Sequence, residues 1–148
     1  MELTYKIEDM IEGKEALSII VKECWDEVDQ MNTECDVDPD WEQYEQMNNA
    51  GMIRYYTVYD GDELVGFAIF IISLSLHVKG KYIASSDVIY LKKPYRGKGA
   101  EFINLIQEDL REQKVQRFSI NIKKWVDTGN LAPAIECEHC ENVLQRSL

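Results

Sequence analysis

Apolar and polar positions alternate at the start of the chain. Leu3, Tyr5 and Ile7 are interleaved with Glu2, Thr4 and Lys6, the period-two pattern of a strand with one buried face. From Glu8 to about Gln30 the period lengthens. Ile11, Leu17, Ile20, Val21, Trp25 and Val28 form an apolar stripe, which predicts an amphipathic helix whose true start falls after Gly13. Asn32 to Asp38 is polar and irregular. Asp38-Pro39-Asp40 then opens a second helix carrying Trp41, Tyr44 and Met47, and Gly51 is placed to end it with a left-handed cap.

Met52 to Leu76 reads as a hairpin. Arg54 to Tyr59 is rich in β-formers, Asp60-Gly61 is a turn signal, and Glu63 to Leu74 continues as a longer strand. A second turn over His77 to Lys81 leads to a strand from Tyr82 to Leu91. After Pro94 to Gly99 the period changes again: Phe102, Ile103, Leu105, Ile106 and Leu110 predict a helix. Arg117 to Ile122 reads as a strand, Asp127 to Ile135 as a short helix limited by Pro133, and Cys137 to Leu148 as a last strand. The pattern implies one α/β domain over residues 1–148, with a mixed, mostly antiparallel sheet flanked by helices.

The stretch from Ser86 to Gln113 carries the clearest chemistry. A strand feeds the basic, glycine-rich turn Pro94-Tyr95-Arg96-Gly97-Lys98-Gly99, and the turn opens a helix. Free amides of a first helical turn point at an anion, glycines permit close backbone approach, and the helix dipole favours negative charge there. The segment is therefore an anion site suited to pyrophosphate. It is not a Walker A loop, because Gly97-x-Gly99 lacks the Gly-Lys-Ser/Thr ending.

Charge divides the chain. Residues 1–60 hold sixteen acids against four bases, whereas residues 61–148 are nearly balanced within a total net charge of −11. The acidic half is either a solvated surface or the frame of a pocket for a cationic acceptor; binding to nucleic acid is disfavoured. No apolar run approaches the roughly 18 residues of a membrane span, and MELTYKIEDM lacks a signal pattern, so the expected compartment is the cytoplasm. Cys137-x-His139-Cys140 lacks a second ligand pair, and no metal is expected.

The order of elements, together with Arg96-Gly97-Lys98-Gly99-Ala100, resembles the GNAT acyltransferase family, whose Arg/Gln-x-x-Gly-x-Gly/Ala signature binds the coenzyme A pyrophosphate through its amides. Within that family the chain looks most like small phage-encoded acetyltransferases, through Asp38 to Tyr44, Leu76-His77 and Asp87 to Leu91. The resemblance implies an acetyl-CoA-dependent N-acetyltransferase acting on a primary amine of a small molecule or protein by direct transfer, in a host cytoplasm if phage-encoded. It assigns coenzyme A binding to Arg96, Gly97, Lys98, Gly99 and Ala100, with Lys92, Lys93 or Lys98 reaching the 3′-phosphate. Backbone amides near Ile89 to Leu91 would align the pantetheine arm and stabilise the oxyanion.

Three departures stand against that signature. Glu101 replaces its last small residue, Glu136-Cys137 replaces a frequent Gly-Phe, and Ala132 stands where many members carry a tyrosine acid. An alternative follows: a catalytically weak or inactive member that binds coenzyme A or a host protein.

Candidate catalytic groups are Asp87 as base through a water, His77 in its turn, and Tyr90 as a proton donor to the thiolate. The more common role of such residues is different: a paired or turn-capping carboxylate for Asp87, an exposed or turn-bonded histidine for His77 and a core aromatic for Tyr90. Glu23 and Asp26 are weaker bases, and Asn121 and Asp127 are expected to border the pantetheine groove. The C-terminal strand could be an edge that a second copy of the chain completes as a homodimer.

Overall fold

The computed structural model describes residues 2–28, 35–141, 143, 144 and 146. Five strands form one sheet in the order β1-β2-β3-β4-β5: β1 Thr4–Glu8, β2 Ile53–Asp60, β3 Glu63–Leu74, β4 Tyr82–Leu91 and β5 Val115–Ser119. The first four pair antiparallel through short turns. β5 lies parallel to β4, because the chain returns through a helical crossover. The helices are α1 Lys14–Val28, α2 Trp41–Asn49, α3 Gly99–Glu112 and α4 Leu131–Ala134.

The near-continuous apolar run of β3 has a simple cause: both of its faces are covered. Phe67 and Ile69 pack with Met10, Leu17 and Ile20 on the α1 side, while Ala68 and Phe70 pack with Phe102, Ile106 and Leu110 of α3. Each such fully buried large side chain contributes about 1.5–3 kcal/mol. Gly66 is required by close approach, since a Cβ there would lie 2.3 Å from Leu91 Cδ2 and 3.0 Å from the Tyr90 carbonyl oxygen. A buried carboxylate ties α3 to the sheet: Asp109 accepts from Arg54 Nε at 3.0 Å and from the Tyr56 hydroxyl at 2.6 Å. Paired in this way, its charge is tolerable in a dry setting.

Helix ends follow the sequence signals. The amide of Gln43 donates to Asp40 Oδ1 at 3.0 Å, capping α2. Gly51, at φ +73°, closes it with Met52 N–H on the Met47 carbonyl, a Schellman arrangement. α1 begins just after Gly13; the predicted extension to Gln30 lies outside the described residues.

Two boundaries are corrected. β5 runs Val115–Ser119 rather than 117–122, because the Asn121 amide turns to Ser86 Oγ at 2.9 Å instead of extending the ladder. The predicted C-terminal strand is not formed among the described residues beyond Ala134. Ile135 is the last buried side chain there, Glu136 sits in a left-handed turn at φ 54°, and Val143 and Leu144 stay exposed. Without a face to bury, the strand has nothing to hold it. The edge on which a second copy was to pair is thus absent from these residues.

Candidate active site

The site is organised by an irregularity in β4. Ile69 pairs with Val88 and Phe70 with Ser86, so Asp87 is an extra residue opposite no partner, a β-bulge. A regular strand would point Asp87 and Val88 to opposite faces. Across the bulge, both line one cavity of about 550 Å³ bounded by α1, residues 35–40, α2 and the sheet. That volume falls in the range of about 300–1,000 Å³ common for small-molecule sites.

Inside the cavity the Tyr44 hydroxyl donates to Asp87 Oδ2 at 2.5 Å. Burial, and then the Asp87 carboxylate beside it, push the Tyr44 hydroxyl far above the ordinary tyrosine value, so it stays protonated and a donor. Asp87 therefore presents an oriented carboxylate to the cavity. Tyr90, by contrast, is buried on the α1 side with its hydroxyl donating to Glu27 Oε2 at 2.7 Å.

Below the bulge, β4 and β5 part. Their pairing ends at Ser85 and Ser119, and Asn121 clamps the fork, its amide on Ser86 Oγ and its Nδ2 on the Ser86 carbonyl at 3.2 Å. Beyond that point β4 has no strand partner on the β5 side among the described residues. Alternate amides of residues 88–91 are consequently not used by a ladder on that edge. Ile89 is half-buried toward α3, and Leu91 is buried against Gly66.

The basic turn folds as a 3₁₀ helix, Lys93–Lys98, running directly into α3. Among the described residues no side chain caps the N-terminus of α3, while the Gly99 amide donates to the Arg96 carbonyl. A Cβ at Gly97 would meet nothing within 4 Å, and one at Gly99 only ordinary contacts at 3.9 and 4.0 Å. Gly99 is helical, at φ −59°. Neither turn geometry nor packing requires glycine at position 99, and the space in front of Gly97 is open, while a side chain at 99 would rest against Leu91 and Leu131. A helix start without a side-chain cap, next to the open backbone of Gly97, fits a phosphate-bearing group.

Each basic side chain of this turn already has a carboxylate partner. Lys92 is 2.8 Å from Glu63 and 3.7 Å from Glu23, and Lys98 is 2.8 Å from Glu101. Arg96 Nη2 pairs with Glu27, whose same oxygen lies 3.8 Å from Lys93 Nζ. Burial pushes the Glu27 carboxyl up, but the Tyr90 hydroxyl, Arg96 and Lys93 outweigh it and hold the group below the usual carboxylate range. The Lys98 ammonium likewise lowers the Glu101 carboxyl, which leans toward that neighbour.

Of the residues singled out in the sequence, Asp87 lines the cavity, while Ile89, Leu91 and Arg96 to Ala100 flank the fork and the glycine turn. His77 is exposed in the β3–β4 turn, its amide donating to Ser75 Oγ, and is not among the cavity-lining residues. Asp127 accepts from the Gly129 amide at 2.9 Å within its own exposed turn. Glu23 pairs with Lys92, and Asp26 with Lys22 at 3.6 Å. Sequence reasoning missed Glu27, although its position one helical turn beyond Glu23 marks a shared face. It also missed the Tyr44–Asp87 contact and the bulge.

No family profile and no curated protein matches the chain by sequence. Solved structures do match in shape. A ribosomal-protein-alanine N-acetyltransferase from Brucella melitensis biovar Abortus 2308 superposes with a TM-score of 0.74 at 17% identity, covering 100% of both chains. An aminoglycoside acetyltransferase from an uncultured soil metagenomic sample, in complex with sisomicin, gives 0.74 at 13% identity over 99% of this chain and 94% of that one. AAC(6')-Iy, in complex with the bisubstrate analogue CoA-S-monomethyl-acetylneamine, gives 0.72 at 13% identity over 100% and 99%. From β1 to its C-terminal segment, the chain has the fold of the GNAT N-acetyltransferases.

Proposed function

We propose that the protein is an acetyl-CoA-dependent N-acetyltransferase that moves an acetyl group directly to a primary amine. The observation that carries this reading is the placement of Asp87. A bulge aims an oriented carboxylate into a small-molecule-sized cavity between α1, residues 35–40, α2 and the sheet. Acetyl-CoA supplies the activated acetyl thioester when bound. Gly97, Gly99 and the start of α3 would hold its pyrophosphate, with Arg96, Lys93 and Lys98 exchanging their carboxylate partners for phosphate oxygens. Amides of residues 89–91 on the open edge of β4 would align the pantetheine arm and donate to the acyl oxygen as negative charge develops on it. An amine arrives protonated, and Asp87, steadied by Tyr44, takes its proton directly or through a water. Tyr90 is held by Glu27 in the core and supports the wall.

Calorimetric titration with acetyl-CoA tests the reading. Saturable heat, followed by thiol release once an amine is added, is the expected result. Gly99→Val should weaken coenzyme binding at least tenfold without lowering the melting temperature by more than a few degrees. Absence of both heat and thermal stabilisation by acetyl-CoA would sink the proposal. Binding without thiol release on any amine would leave a coenzyme-binding protein.

A further inference from the structure

We infer, on the footing of the transferase reading, that the acceptor is a small amine with one positive charge and an apolar, aromatic or branched body. The walls of the Asp87 cavity are mostly hydrocarbon: Val21 and Trp25 of α1, Val37, Trp41 of α2, and Phe67 and Val88 of the sheet. Its carboxylates are unevenly placed. Asp87, itself solvent-exposed, lies on the sheet side of the cavity and is oriented by the Tyr44 hydroxyl, so that one ammonium can be met against the apolar wall. Asp36 and Asp38 are solvent-exposed on the loop that forms the rim, and Asp40 is engaged in capping α2. Charges in water at the rim attract a cation from a distance but hold it weakly.

A polycation would have to seat its second and third ammonium groups against valine, tryptophan and phenylalanine. Removing them from water without a partner is strongly unfavourable. Lys123, also at the lining, opposes a second positive charge. A body rich in hydroxyl groups meets the same difficulty along the α1 and sheet walls, since each hydroxyl buried there needs a partner that valine, tryptophan and phenylalanine side chains supply poorly. An arylalkylamine or branched alkylamine satisfies both halves of the site, its body against the walls and its nitrogen at Asp87.

Trp25 and Trp41 line the cavity, so acceptor binding can be read by tryptophan emission, independently of turnover. The protein saturated with coenzyme A is titrated with 2-phenylethylamine, spermidine, sisomicin and a short peptide with a free N-terminus, at about 0.15 M salt. Saturable quenching by 2-phenylethylamine, at least tenfold tighter than by the other three, is expected, with thiol release from acetyl-CoA following the same order. Val21→Asp, which places a charge in the apolar wall, should weaken 2-phenylethylamine at least tenfold while coenzyme affinity stays within twofold. Equal or tighter binding of spermidine, sisomicin or the peptide overturns the inference and leaves the transferase reading intact. Quenching by 2-phenylethylamine with no thiol release supports the amine site and removes the transferase reading instead.

Discussion

At the end of β4 every basic side chain of the glycine turn is matched by a carboxylate, whereas five residues earlier Asp87 faces apolar walls with a tyrosine hydroxyl beside it. The two regions share a strand and use charge in opposite ways. The turn stores its cations in exposed ion pairs, each worth roughly 0–1 kcal/mol and easily exchanged. The cavity sets one tyrosine-oriented carboxylate, Asp87, beside a largely apolar wall, with Asp36, Asp38 and Asp40 on its loop side. A ligand with several negative charges can displace the first set of pairs. A ligand with one positive charge suits the second.

The sharpest way to separate the regions is Asp87→Asn. Transfer should slow by about 10²–10⁴-fold, while coenzyme affinity measured by calorimetry stays within twofold. Poor coenzyme binding by that variant would make Asp87 a structural residue and merge the two regions. Arg96→Ala should act on the other side. Coenzyme affinity is expected to fall about tenfold or more, with amine-induced tryptophan quenching unchanged.

Glu27→Gln should move coenzyme affinity the opposite way, tightening it about two- to fivefold, because the variant no longer competes for Arg96 and Lys93. A carboxyl held below its unfolded value contributes stability above that value, and the contribution is lost as pH falls through the folded one. The gap in melting temperature between wild type and Glu27→Gln should therefore be constant from about pH 5 to 8. It should close as the pH drops below about 4, the ordinary carboxylate range. A gap that changes near neutrality would show that another group governs the pair. The smallest effect is expected at Glu136, whose φ of 54° suits glycine. Glu136→Gly should raise stability by no more than about 1 kcal/mol in thermal melts, and leave both sites untouched.

Much of the fold could be read in advance because its rules are local. Period two in β1, the changed period of α1, Asp40 before α2 and Gly51 after it each act within a few residues. The site was less legible because its contacts are distant in sequence. Tyr44 meets Asp87 across 43 positions and Glu27 meets Arg96 across 69. The bulge leaves little trace in one dimension either: Ser85-Ser86-Asp87 looks like a polar patch on a strand, and only pairing with β3 reveals the extra residue. The opposite error occurred at the C-terminus. The strand expected from Cys137 to Leu148 carries Glu138 and Glu141 where a buried face would need apolar side chains.

The extra residue at Asp87 makes chain length part of the chemistry. A strand counts its faces in twos, and the bulge inserts an odd step between Ser85 and Val88. Substitutions along the cavity wall leave that count alone, so acceptor preference can drift one side chain at a time. Loss of a single residue between Tyr82 and Asp87 would close the ladder and set the carboxylate at odds with the glycine turn downstream. Point changes can retune this cavity; a one-residue deletion would disconnect it from the turn.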